Sequence, residues 1–136
     1  MKKNYTIVIF MIVFSSLILS ACGGSTPAES PAIPAEYAGK TNPLGSDAAA
    51  AGQAIYAVQC ASCHGESGKG DGPAGQALSP VAANLVESVA KFNDDYLFYR
   101  ISEGGAMDPY NSSMPSFKNV LSEEEIWQVV TPINTF

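Results

Sequence analysis

Histidine occurs once in the 136 residues, cysteine three times, and lysine and arginine together seven times against 13 acidic residues. Each scarcity removes a class of function. A zinc site needs about four ligands, and beyond Cys60, Cys63 and His64 the chain offers only Cys22, far away in sequence. Two of the seven basic residues, Lys2 and Lys3, stand at the extreme N-terminus, which leaves five against 13 acidic residues after Cys22, a net of −8. A surface that acidic argues against nucleic acid or anionic lipid as a partner. The longest apolar run, Ile7 to Leu19, falls short of the roughly 20 residues of a membrane span. No alternating apolar and polar stretch marks a strand. The glycine-dense segment Gly65 to Pro73 has no strand before it and no Gly-Lys-Ser/Thr after it, so it is not a phosphate cradle.

What is present divides the chain into three. Residues 1–21 read as a signal peptide, with a basic start and a short apolar core. Its end, Leu19-Ser20-Ala21-Cys22 followed by two glycines, resembles the lipobox of bacterial lipoproteins, which implies acylation of Cys22 as the mature N-terminus. The competing reading is an ordinary leader with Cys22 a stray thiol. Residues 22–46 contain Pro27, Pro31, Pro34 and Pro43 among small and polar residues. Such a segment buries too little surface to offset its ordering entropy and reads as a tether of about 25–30 Å root-mean-square span, roughly 75 Å as polyproline II. Its alternative is an ordered arm docked on a partner. Residues 47–136 form one globular domain of 90 residues, small enough to gain from an embedded cofactor.

Cys60-Ala61-Ser62-Cys63-His64 is the most specific motif. Two thiols three positions apart lie on one side of a helical turn and can add to the two vinyl groups of a haem. The next residue then places an imidazole beneath the iron. A thioredoxin-type pair needs a βαβ context, and a disulfide across two intervening residues would be strained.

From Asp47 to about Ile133 the chain resembles a class I cytochrome c. The resemblance implies an all-α fold of three to five helices around one covalently bound haem c, with Cys60 and Cys63 carrying the thioether bonds and His64 as proximal ligand. It also implies a distal methionine: Met114, in Ser113-Met114-Pro115, is favoured over Met107, beside the Gly104-Gly105 helix stop. Pro73 is expected to offer its carbonyl to the His64 imidazole, and Ile101 and Phe117 to line the haem pocket. Gly52 matches the small residue where the first and last helices of the family cross.

Three helices are legible. The first begins after Ser46 or Asp47 and runs to the motif cysteines, with Ala48, Ala51, Gly52, Ile55 and Tyr56 on one face. The second starts at Asn93 as N-cap, carries Leu97, Phe98 and Ile101, and stops at Gly104. Tyr96 and Tyr99 are read as packing residues more readily than as haem propionate partners. The third opens with a capping box, Ser122 and Glu125, with Leu121 and Ile126 as staple. Thr131-Pro132 stands where the relatives have an aromatic residue, so this helix is expected to be short or bent, with Trp127 as substitute at the Gly52 crossing.

The expected role is one-electron transfer, with no bond made in a small-molecule substrate, so the chain is read as a carrier and not an enzyme. Its expected place is the extracytoplasmic face of a bacterial membrane, lipid-anchored. Two settings stay open. One is a tethered carrier between a reductase or quinol-oxidising complex and an oxidase or reaction centre. The other is a fixed haem subunit of a larger membrane complex such as alternative complex III. A ligand-binding or peroxidatic haem protein is the third possibility, and it requires both methionines to be off the iron.

Overall fold

The computed structural model describes residues 32–107 and 109–136. The signal peptide, Cys22 and the linker up to residue 31 lie outside the described residues. A 3-10 turn at Ser46–Ala48 leads into α1 (Ala49–Gln59), followed by α2 (Ala61–His64), α3 (Pro73–Gln76), α4 (Leu85–Val89), α5 (Asp94–Glu103) and α6 (Glu123–Ile133). The described residues contain no strand, and the expected all-α fold holds. Six helical segments exceed the expected three to five because α2, α3 and α4 are single turns, too short to show a period. No helix among the described residues is long and apolar enough to cross a membrane.

The core forms where α1, α5 and α6 meet. Tyr56 from α1, Leu97, Phe98 and Ile101 from α5, and Ile126, Trp127, Val129, Val130 and Ile133 from α6 are buried, with Phe117 between them. The capping box of α6 is complete: Ser122 Oγ accepts from the Glu125 N–H at 3.2 Å, and Glu125 Oε2 accepts from the Ser122 N–H at 2.8 Å. In α1 the buried face is Gly52 and Tyr56, whereas Ala51 is exposed. Asn93 holds the N-cap position of α5 without a side-chain cap bond. The carboxylates of Asp94 and Asp95 are used elsewhere, as described below.

The α1–α6 crossing corrects the expectation for the C-terminal helix. Helix α6 runs through Thr131 and Pro132 to Ile133. Proline has no N–H to return to the Gln128 carbonyl, and that carbonyl faces Gly52. A Cβ at Gly52 would strike the Gln128 carbonyl and come within 2.9 Å of Pro132 Cδ. The crossing is therefore built from Gly52, the Gln128 carbonyl and the proline ring. Trp127 is not the substitute: it stacks on Phe98 with ring centroids 4.1 Å apart.

The domain also begins earlier than Asp47. From Tyr37 to Leu44 the chain lies against α5 and α6 as an arm. The Gly39 N–H donates to Asp95 at 2.9 Å and the Asn42 N–H to Asp94 at 3.0 Å. The Asn42 amide donates to the Trp127 carbonyl at 3.1 Å and to the Thr131 hydroxyl at 3.0 Å. The Tyr37 hydroxyl donates to Glu103, which Lys118 holds from the other side at 2.7 Å. The Tyr37 ring packs on Tyr99, centroids 5.1 Å apart, which explains why Tyr99 is buried on the side of α5 away from Leu97. These residues belong to the folded unit and not to the tether. An arm held by hydrogen bonds to carboxylates leaves no apolar period to read.

Candidate functional site

Helix α1 ends at Cys60, whose backbone (φ −120°, ψ −39°) leaves the helix, and one further turn, α2, carries the motif. The Cys63 and His64 N–H groups both donate to the Cys60 carbonyl, at 3.1 and 2.9 Å. The turn is fixed from behind by Tyr56, fully buried, whose hydroxyl donates to the Gly65 carbonyl at 2.7 Å. Cys60, Cys63 and His64 thereby line one side of a cleft of about 350 Å³, within the range of small-molecule and cofactor sites.

The opposite wall comes from α5 and the loop after it. Leu97, Arg100 and Ile101, at three- and four-residue spacing on α5, face the cleft together with Met114 and Phe117. The loop bearing Met114 is laced to the end of α5. Gly105 N–H donates to the Met114 carbonyl at 2.9 Å, Phe117 N–H to the Ile101 carbonyl at 3.1 Å, and Ser116 Oγ to the Ser102 carbonyl at 2.6 Å. Met107 does not line the cleft; its sulfur lies 3.8 Å from Arg100 Nη1. Six of the expected residues thus meet in one cavity: Cys60, Cys63, His64, Met114, Ile101 and Phe117.

Pro73 does not join them. His64 Nδ1 lies 2.9 Å from the carbonyl oxygen of Ala83, not of Pro73. Pro73 instead opens α3 at its first position, where a residue without an N–H is suited. The Ala83 carbonyl is presented by a loop that Gly70 supports: Gly70 sits at φ +74°, and a Cβ there would come within 2.7 Å of the Ala82 oxygen. A backbone acceptor on an alanine carries no signature in the sequence. The bond it makes fixes the ring orientation of His64 and leaves Nε2 as the nitrogen free to act as ligand.

The electrostatics favour neutral donors. Burial lowers the His64 pKa from its ordinary value, against the smaller opposing effect of the bond to Ala83. Burial, with Cys63 next to it, pushes the Cys60 thiol up to about 11. Among the described residues Arg100 is the one cationic side chain of the cleft wall. Its guanidinium carbon lies 3.5 Å from the Tyr110 ring centroid, and Nη1 donates to the Gly104 carbonyl at 2.6 Å. Tyr110 Oη is buried beside Tyr96, and burial, with Tyr96 adding to it, raises its pKa to about 12. Tyr96 also lines the cleft, stacked on Phe92, whereas Tyr99 does not. Arg100 and Tyr110 were not foreseen as site residues. Arg100 had a legible signal, a lone cation between Leu97 and Ile101 on an apolar face.

Residues 47–131 match the family model described as cytochrome c oxidase, cbb3-type, subunit III. The chain belongs to this cytochrome c family. No curated protein matches it. Membership makes the chain a class I cytochrome c of all-α fold, a haem c protein that transfers electrons to and from other redox proteins.

The side chains of the cleft fit the group that the family implies. The wall offers two thiols, an imidazole with a fixed orientation, a thioether and an apolar lining. Arg100 and Tyr110 add a guanidinium and a phenol hydroxyl to the lining, groups able to meet a carboxylate. Among the described residues no cluster of three or more His, Cys, Asp or Glu side chains competes as a metal site.

Proposed function

We propose that this cytochrome carries one haem, bound covalently through Cys60 and Cys63, with His64 and Met114 as axial ligands. We further propose that it transfers single electrons at the extracytoplasmic face of a bacterial membrane, held there by acylated Cys22. The observation that carries the reading is the convergence of Cys60, Cys63, His64 and Met114 on one largely apolar cleft, with Met107 outside it.

When bound, the haem iron supplies the reversible one-electron couple; the rest is done by the chain. His64, oriented by Ala83, donates from one side. A thioether from Met114 is a soft, weak donor that raises the reduction potential relative to two imidazoles. Arg100 and Tyr110 would be the residues of the wall able to meet the carboxylates of a bound haem. Ile101 and Phe117 exclude water, which keeps the reorganisation on electron transfer small. With both axial positions taken no site is left for a substrate, which supports a carrier and not an enzyme.

The docked arm favours a place close to the membrane. With Tyr37 onward packed on the domain, residues 23–36 separate Cys22 from the arm, a reach of at most roughly 50 Å fully extended. That supports a fixed subunit, as the family description suggests, over a widely ranging tethered carrier. Expression in an export-competent host tests the whole proposal. Haem that stays with the chain after acid–acetone extraction, thiols at 60 and 63 that resist alkylation, and a detergent particle larger than the cytochrome alone are expected. Colourless protein with both thiols alkylated would overturn it, and a small monomeric haem particle would favour the mobile carrier.

A further inference from the structure

The acidic character of this chain does not extend to the mouth of its cleft. Six of the lining residues are exposed and so form its rim: Gln59, Pro80, Val81, Ala83, Ser113 and Pro115. None is charged. The segments that supply them are equally bare, with no charged residue from Ala48 to Gly65 or from Gly72 to Val86, in a protein of formal net charge −6. Val81 is 57% exposed, and Val58, one residue before Gln59, is 76% exposed. The described residues have only one other exposed large apolar side chain, Val120. The carboxylates lie outside these stretches: Glu66 and Asp71 on the loop between them, Glu87 just after the second, and the densest groups at the helix starts, Asp94 and Asp95 on α5 and Glu123 to Glu125 on α6. Lys40 and Asn42 of the arm link these two helix starts, through Glu123 and through Asp94.

We infer that the cleft mouth is the docking surface for a redox protein whose own contact face is uncharged and apolar, and that encounter there is not steered by charge. The inference rests on the electron-transfer reading above. A basic partner would be drawn to the carboxylates at the starts of α5 and α6, and a partner with an acidic face finds no lysine or arginine on the rim to meet it. An uncharged rim with projecting valines matches the charge-depleted, apolar centre of protein interfaces. Complementary charge is what raises association rates at low salt, so its absence predicts association that is nearly independent of ionic strength.

The test uses full-length, haem-loaded, ferrous protein mixed with solubilised membranes of the producing cell from which the native cytochrome has been removed. Each ferrous haem gives one electron to the membranes' acceptor, which dissolved oxygen keeps oxidised, and haem oxidation is followed by stopped flow. The second-order rate constant is expected to change less than about twofold between low salt, with a Debye length of about 30 Å, and physiological salt, at about 8 Å. Val81→Asp is expected to lower it at least about tenfold, Val81→Leu to leave it within twofold, and the Glu123→Gln/Glu124→Gln double variant to leave it unchanged. A rate that falls several-fold with salt, or that responds to the double variant, would place docking at the acidic end and overturn the inference. So would a Val81→Asp rate equal to wild type. Oxidation by uncharged benzoquinone separates the two failures. If wild-type ferrous haem does not give up its electron even to that reagent, the carrier reading fails and the docking surface with it. If it does and the membrane results go the other way, only the docking surface is wrong.

Discussion

Gly52→Ala isolates the packing that holds the cleft's first wall to the core. In an unpacked helix the change would stabilise, since alanine exceeds glycine in helix propensity by about 1 kcal/mol. At Gly52 the new methyl runs into the Gln128 carbonyl and approaches Pro132 Cδ at 2.9 Å. The first of these obstacles is main chain, and the second is a proline ring fused to it. Neither can rotate away as a flexible side chain would, so α1 and α6 must separate. Overpacking of this kind costs about 1–3 kcal/mol, at the upper end where backbone is struck. Against the propensity gain, the net expectation is a loss of about 2 kcal/mol. For a domain of this size each kcal/mol moves the melting temperature by about 4–8 °C, so thermal unfolding of the haem-loaded variant should shift down by roughly 8–16 °C. Ala51→Gly, one position earlier on the exposed side, provides the comparison and should cost about 1 kcal/mol from propensity alone. A Gly52→Ala protein that melts at or above wild type would refute the account of the crossing.

Asn42→Ala removes both amide bonds from the arm to α6 and should cost about 1–2 kcal/mol, with limited proteolysis cutting N-terminal to Asp47 sooner than in wild type. Glu103 is held below the usual carboxylate range, first by Lys118 and then by Tyr37. A carboxylate with a lowered folded pKa stabilises above its unfolded pKa of about 4.3 and loses that contribution as pH falls through the folded value. The wild-type melting temperature should therefore decline below about pH 4.5, and Glu103→Gln should flatten that part of the profile. Arg100→Leu removes the one cation of the cleft wall, which disfavours the ferrous state. The reduction potential should fall by an amount on the order of 1 kcal/mol, roughly 40 mV, as read by potentiometric titration, and an unchanged potential would remove Arg100 from the propionate edge.

The parts legible in the sequence were those in which local chemistry and tertiary placement coincide. Ser122 and Glu125 form their box because a capping box is closed by the four residues that contain it. The Cys60–His64 spacing specifies its own turn, and the cleft brings Met114 to the same space. What could not be read depends on partners distant in sequence. Ala83 serves His64 through its backbone oxygen, which no side chain advertises, so Pro73 was the natural but mistaken expectation. Pro132 has two physical meanings, helix disruption and a compact ring at a close crossing, and only the neighbouring Gly52 selects the second. The proline-rich stretch before Asp47 reads as tether because its anchors are scattered single residues, the Tyr37 ring on Tyr99 and hydrogen bonds from Tyr37, Gly39, Lys40 and Asn42 to α5 and α6, which show no period.

The most direct measurement of the proposed iron environment is the far-red methionine-to-iron charge-transfer band of the oxidised, haem-loaded protein, recorded for wild type, Met114→Ala and Met107→Ala. The account predicts the band in wild type and in Met107→Ala, and its loss in Met114→Ala with the covalent haem retained. A band that survives Met114→Ala, or that is missing from wild type, would contradict it.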